Sequence, residues 1–333
     1  MSADPATPAG EEHHQGDLER VILGSEPVLT AEEVAEVAGI GADQFRRLWR
    51  SLGFPEFAPG EAGFVGADAD AARLLLGVTD SGLIDFDVAV NLTRAVGQTM
   101  ARLADWEVTA LLQKVEELAG EDLAENRIET AIALVREFNR PFEGLLVYAW
   151  RRHLAAAAAR MEALRASEED LHTVEVSVGF ADIVGFTALS NTLTQERIGD
   201  LVELFEMRCA DVVNAQRGRV IKSIGDSVLF VNDDPIRAYD TAEGIIAVIG
   251  RDSRMPDVRV GLASGAVVQR LGDVFGPPVN LASRLTGVAR RNRIIIDAMT
   301  AALLPTDEFE TRRLPARPVR GFGLVEPVAV RRR

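Results

Sequence analysis

An all-α first half followed by an α+β second half is the architecture that this 333-residue sequence predicts. Three observations predict it. From Asp17 to Arg165 apolar residues recur at helical spacing, as in Ile84–Leu103, Trp106–Leu118 and Leu123–Phe138. From Val174 onward, short β-rich runs alternate with helical ones. Turn residues punctuate that second half at Gly185, Gly225-Asp226 and Gly276-Pro277-Pro278.

Composition frames the reading. Apolar residues make up 47% of the chain and charged residues 26%, which is globular rather than disordered. The length suggests about two domains. No apolar run reaches the ~18 residues of a membrane span. Met1–Asp17 has neither a basic nor an apolar leader region, so a cytoplasmic chain is expected. The formal net charge of -15 disfavours nonspecific binding to nucleic acid or anionic membranes. The single cysteine, Cys209, cannot form an internal disulfide and reads as a small core residue of the helix 201–213.

The elements follow in chain order. Residues 1–16, rich in Pro, Ala, Gly and Glu, are expected to be a disordered tail. Residues 17–140 are expected to form a helical domain. Thr30-Ala-Glu-Glu33 is a capping box that opens a short helix. Gly39-Ile40-Gly41 then turns the chain into a second helix from Ala42 to Leu52. This helix-turn-helix over 30–55 resembles the first part of a MerR-type module, and Arg46, Arg47 and Arg50 lie on its second helix. Such pairs bind DNA in some proteins and only pack in others. Residues 141–173 are expected to be a linker whose helix starts after Pro141-Phe142 and runs through Ala155–Ala159. His153 and His172 bracket that linker, and histidine titrates near neutrality. Protonation that biases the linker is one reading, and exposed histidines without a role are the other.

Three polar constellations mark the second half. In Val178–Thr187 a β-rich run ends at Asp182, turns at Gly185 and enters a helix near Thr187. A carboxylate there suits a hard cation such as Mg²⁺. The N–H groups of Gly185, Phe186 and Thr187, at the helix start, suit phosphates. In Arg219–Phe230 a hairpin turns at Gly225-Asp226, a good turn pair. Asp226 is either a turn residue or the second carboxylate of a metal pair. Lys222, one of only two lysines, sits in that hairpin. It either snorkels to solvent or donates as a point charge to a ligand. In Leu271–Leu285, Asp273 precedes the turn and a Gly-Pro-Pro start opens a helix. Asn280 and Arg284, four apart, share one face of it.

With these residues in place, the segment 174–333 resembles the catalytic domain of the class III nucleotidyl cyclases. The motifs are Phe180-Ala-Asp-Ile-Val-Gly-Phe-Thr187, Lys222-Ser-Ile-Gly-Asp-Ser227 and Asp273-Val-Phe-Gly-Pro-Pro-Val-Asn-Leu-Ala-Ser-Arg284. The resemblance implies a ferredoxin-like, palm-type βαββαβ core. It implies two Mg²⁺ or Mn²⁺ ions on Asp182, Asp226 and the Ile183 carbonyl. Lys222 and Asp273 would read the purine, Asn280 would orient the ribose and Arg284 would stabilise transition-state charge. Pro318-Val-Arg-Gly321 resembles the family's triphosphate-contacting element, with Arg320 in place of its lysine. The implied reaction is ATP to cyclic AMP and pyrophosphate at composite sites of a homodimer.

The whole layout resembles soluble actinobacterial adenylyl cyclases that carry an autoinhibitory helical domain, which implies a proton or lipid effector. Two other readings stand beside it: an inactive nucleotide-binding module of cyclase form, and a DNA-binding regulator. A diguanylate cyclase is disfavoured, since no Gly-Gly-Asp/Glu-Glu-Phe turn occurs.

Overall fold

The computed structural model describes residues 11–119, 123–166, 173–270 and 272–333. The chain divides into two compact units, Met1–Ala156 and Ala157–Arg333.

The first unit is helical: α1 (Glu11–Leu23), α2 (Ala31–Ala38), α3 (Ala42–Leu52), α4 (Gly66–Asp80), α5 (Phe86–Ala119) and the start of α6 (Leu123–Ala166). The Thr30 box caps α2 from both sides, with Glu33 N–H donating to Thr30 Oγ1 and Thr30 N–H donating to Glu33. Gly39 ends α2 in the left-handed region. The small core beneath α2 and α3 is built on Val34, Phe45, Phe64 and Ala69. Trp49 packs edge-on to Phe64, with ring centroids 4.6 Å apart, and its indole N–H donates to the Pro55 carbonyl at 2.6 Å.

Three expectations change here. Helix α1 begins at Glu11, so residues 11–16 of the expected tail are helical. The predicted helices 84–103 and 106–118 are one helix, α5, because nothing between them breaks the backbone. The predicted boundary at Pro141 is also absent: α6 runs through it. Proline lacks the N–H that would reach the Glu137 carbonyl. Phe138 and Phe142 stack across that point with centroids 4.8 Å apart, an i,i+4 pair that bridges the lost bond. The long neighbouring stretches of good helix formers do the rest.

The second unit runs β1 (Thr173–Ile183), α7 (Phe186–Ser190), α8 (Gln195–Ala215), β2 (Arg219–Ile224), β3 (Ser227–Asn232), α9 (Pro235–Gly250) and β4 (Val258–Arg270). It continues with β5 (Asp273–Phe275), α10 (Pro277–Val288), β6 (Ile294–Ile296), α11 (Ala298–Leu303), β7 (Phe309–Arg313), β8 (Arg317–Val319), β9 (Gly323–Val325) and β10 (Val328–Arg332). The sheet order is β2-β3-β1-β4-β6-β10-β7, with β5 on β4 and a separate β8-β9 hairpin. Its first four strands, with α8 and α9 as crossovers, are the expected βαββαβ core.

Alternation along β1 sends side chains to two separate cores. Val174, Val176, Val178 and Phe180 face one side with Ala282 and Leu285 of α10. Ala181 and Ile183 face the other, with Phe205 and Cys209 of α8 and Tyr239 and Ile245 of α9. Cys209 is fully buried, as expected of a core residue. Gly261 of β4 allows α10 to lie close, since a Cβ there would sit 2.4 Å from Thr286 N and 2.5 Å from the Ala282 carbonyl. Both the sheet and α10 are thereby fixed as the frame of the site.

Candidate functional site

The carboxylates meet at strand ends. Asp182 lies one residue before the end of β1 and pairs across the sheet with Ser227 of β3 and Arg259 of β4. The hairpin turn puts Gly225 at φ +62°, a conformation that glycine adopts freely, and leaves Asp226 at the tip. The Ile183 N–H donates to the Asp226 carbonyl at 3.1 Å, so the two tips are tied together.

The electrostatics are those of two acids in close quarters. Burial first, and then the charge of Asp182, push the Asp226 carboxyl above the usual carboxylate range, while Arg259 opposes them. Asp182 is mostly buried. One of its oxygens accepts from Ser227 Oγ at 2.5 Å and the other from Arg259 Nη2 at 2.7 Å. Among the described residues, no group of three or more His, Cys, Asp or Glu is arranged to hold a metal. Two carboxylates with a nearby backbone carbonyl nevertheless fit a hard cation that takes its remaining ligands from phosphate and water.

A second pair lies on β2 and β5. A bulge between Val220 and Lys222 shifts the β2 register, and the Lys222 ammonium reaches the Asp273 carboxylate in an ion pair. Asp273 also accepts from the Val274 N–H at 2.8 Å. Both side chains remain partly exposed, so the pair is open to a ligand's edge.

A third group lines an open cleft of about 750 Å³. Asn280 and Arg284 enter it from α10, joined by Arg320, Gly321 and Phe322 from the β8-β9 turn. Asp182, Asp226, Lys222 and Asp273 do not line it. One chain therefore gathers the expected residues into three clusters: Asp182, Ile183 and Asp226; Lys222 and Asp273; and Asn280, Arg284 and Arg320. Gly185 is the left-handed residue before α7, and Phe186 packs partly into the core while Thr187 is exposed. His153 is exposed on α6, and His172 lies outside the described residues.

Ser227 and Arg259 are absent from the residues expected of the sequence. Arg259 had a signal, as the lone charge in the apolar run Val258–Leu262, but only strand register brings it to Asp182. The three arginines of α3 are all engaged. Arg46 pairs with Glu32 and Asp43, Arg47 with Asp87 and Arg50 with Glu56. Among the described residues no helix is long and apolar enough to cross a membrane.

Comparison with known proteins finds similarity over the whole chain. Residues 169–330 match the family model described as the adenylate and guanylate cyclase catalytic domain. The chain is 36% identical to an adenylate cyclase of Streptomyces coelicolor over 359 residues, covering 100% of this chain and 92% of that protein. It is 35% identical to an adenylate cyclase of Streptomyces griseus, covering 95% and 88%. Among solved structures, the catalytic core of a rhodopsin-guanylyl cyclase with converted specificity, in complex with ATPalphaS, is 26% identical. It has a TM-score of 0.46 and covers 49% of this chain and 98% of that one.

Proposed function

The chain belongs to the family of adenylate and guanylate cyclase catalytic domains, and from that premise we propose that it converts ATP to 3′,5′-cyclic AMP and pyrophosphate. The observation that carries the choice of base is the Lys222–Asp273 pair. A donor beside an acceptor matches adenine, which offers N1 as acceptor and the N6 amino group as donor. Guanine presents the opposite order at that edge. The names of the Streptomyces relatives support the same choice.

Asp182, Asp226 and the Ile183 carbonyl would hold two divalent ions, Mg²⁺ or Mn²⁺. When bound, such ions make the ribose 3′-hydroxyl a better nucleophile and neutralise the triphosphate. Burial, and then the charge of Asp182, raise the Asp226 pKa, and a cation bound between the two would offset both. Arg259, which pairs with Asp182 from β4, would hold that carboxylate in place beside the ions. The backbone N–H groups of Gly185, Phe186 and Thr187 would meet the same phosphates. Asn280 would orient the ribose. Arg284 would stabilise negative charge as the 3′-oxygen, its proton passing to water or substrate, bonds to the α-phosphorus and the bond from that phosphorus to the leaving pyrophosphate oxygen breaks. Arg320 would hold the departing pyrophosphate. The clusters are completed, in this reading, by a second copy of the chain, which gives a homodimer with two composite sites.

Residues 17–140 would regulate that assembly, with 141–173 as the transmitting segment. An apolar cavity of about 230 Å³ within the helical unit, lined by Leu18, Ile22, Val108, Leu111 and Val135, supports a lipid-like effector. His153 and His172 would serve a proton effector.

The test is cyclic AMP formation from ATP, and cyclic GMP formation from GTP, with Mn²⁺ and with Mg²⁺. It compares the full chain with residues 165–333 from about pH 5.5 to 8, using Asp182→Ala as the dead control. Preference for ATP, abolished by that substitution, supports the reading. Suppression of the short chain's activity in the full chain supports an inhibitory helical unit. Faster turnover of GTP overturns the choice of base.

A further inference from the structure

One exposed ring lies between two of the clusters. Side chains alternate along a strand, so β5 sends Asp273 and Phe275 to one face and Val274 to the other. Val274 is buried and packs into the core with Ala282 and Leu285 of α10. Phe275 is 52% exposed. Among the described residues of the second unit it is the one phenylalanine that stands exposed, whereas Phe180, Phe205, Phe230 and Phe309 are buried. Its cross-strand partner, Val268 of β4, is 44% exposed. Directly opposed residues share a sheet face with Cβ atoms roughly 5 Å apart, so the ring and the valine form one apolar patch.

The place of the patch gives it a use. Two residues before Phe275, Asp273 holds Lys222 in the partly exposed ion pair. Directly after it, Gly276 and Pro277 line the cleft of Asn280, Arg284 and Arg320. Gly276, at φ +147°, lies hard against β4, since a Cβ there would come within 3.2 Å of the Ala266 carbonyl oxygen. Phe275 is thereby fixed at the joint between the ion pair and the cleft. A solitary exposed apolar side chain needs no explanation. An aromatic face on the strand that joins a base-reading pair to a cleft of arginines does, because a nucleotide that spans the two passes along that strand.

We infer that Phe275, with Val268 beside it, is the stacking surface for the purine ring, an inference that rests on the nucleotide reading of Lys222 and Asp273. The polar pair reads the edge of the base, and the ring covers one of its faces. Stacking tolerates any base, so Phe275 supplies affinity while the polar pair supplies the choice of purine. The base does not react, and its stacking is the same in the ground state and the transition state. Loss of the ring should therefore raise KM and leave kcat close to its starting value.

The test uses the full chain with Mn²⁺ and 3′-deoxy-ATP, which lacks the attacking hydroxyl, and measures binding by calorimetry. Phe275→Ala should weaken binding of this analogue by about tenfold, within the range of one base–aromatic stack. Phe275→Tyr should restore it. Inorganic tripolyphosphate has no base and should bind wild type and Phe275→Ala alike. Phe275→Trp adds an indole whose fluorescence a stacked adenine quenches. The natural Trp49, Trp106 and Trp150 all lie in the helical unit, so the difference from wild type isolates it. Saturable quenching by 3′-deoxy-ATP but not by tripolyphosphate supports the inference, as does a KM for ATP raised by the same factor at unchanged kcat. Equal affinity of wild type and Phe275→Ala for the analogue, with no quenching in Phe275→Trp, overturns the inference and leaves the cyclase reading standing. So does a loss of activity in Phe275→Ala that follows dissociation in sedimentation and is reversed at higher protein concentration, which would make the patch an interface between two copies. If the wild type binds no purine nucleotide and forms no cyclic nucleotide, the inference and the reading beneath it fall together.

Discussion

The two units are stabilised by different means. In the unit that holds the three clusters, residues far apart in sequence bury one another on both faces of the sheet, and Phe205, Phe230, Tyr239 and Leu262 are all within 2% of full burial. In the helical unit the buried cluster is small and confined to α2, α3, α4 and Phe64, which bridges to Leu29. Its long helices leave Trp106, Tyr148 and Trp150 about 60% exposed. Local devices carry more of the weight there: the Thr30–Glu33 box, the Phe138–Phe142 stack and intrinsic helix propensity. A site that must hold two carboxylates against mutual repulsion needs the rigidity of the first kind. A region of the second kind can change its packing at modest cost.

The strongest way to break this contrast is to remove a core ring. Phe205→Ala should destabilise the second unit by about 3–5 kcal/mol. In urea unfolding of the full chain, the second unit's transition should move to lower denaturant while the helical transition stays in place. If both move together, the two units unfold cooperatively and the contrast fails. Next in size is Gly261→Ala. Its new methyl would meet backbone atoms of α10 and could not be relieved by rotating a side chain. The expected cost is about 1–3 kcal/mol. Because Asn280 and Arg284 ride on α10, activity should fall by more than the loss of folded protein explains, as measured by kcat on the folded fraction.

Legibility from sequence follows the same division. The β1, β2-β3 and α10 boundaries were readable because turn chemistry is local: Gly225-Asp226 and Gly276-Pro277-Pro278 act within a few residues. Asp182, Asp226, Lys222, Asp273, Asn280 and Arg284 stand out in the sequence because they lie in motifs, and the fold distributes them over three clusters. Arg259 does not, because its role depends on antiparallel register between strands 77 residues apart at the contact. The Arg208–Asp252 pair was invisible for the same reason, as Asp252 lies 44 residues away. In the helical unit the error ran the other way. Pro141 is a strong local stop signal, and the Phe138–Phe142 contact and the helix propensity of its neighbours overrode it.

A milder test lies in the helical unit. Thr30→Ala removes the side chain that caps α2 and should cost about 1 kcal/mol, seen in the first transition and not in the second. The cost has a pH sign. Hydrogen bonds from the Thr30 backbone and side chain lower the Glu33 pKa in the folded chain. That contribution is present above the unfolded-state value and is lost as pH falls through the folded one. The Thr30→Ala penalty should therefore shrink in acid. A penalty that is constant across the carboxylate range would mean that the box does little for α2.

The smallest expected effect belongs to Asp252. Its carboxyl titrates far below the ordinary range because Arg254, and then Arg208, donate to it. The sign is that of a depressed acid. The stabilisation is present at all pH values above the unfolded-state value and disappears as pH falls through the folded value. Solvent screens much of it, since the Arg254 partner is 78% exposed. Asp252→Asn should lower the melting temperature of the second unit slightly at neutral pH, with the difference from wild type closing toward strongly acid pH. Salt should narrow the difference too, as it does for exposed pairs. A neutral-pH loss as large as that of Phe205→Ala would show that the Arg208 anchor supports the α8–α9 packing. The second unit would then also rest on a charged local device, and the contrast between the two units would narrow from that side.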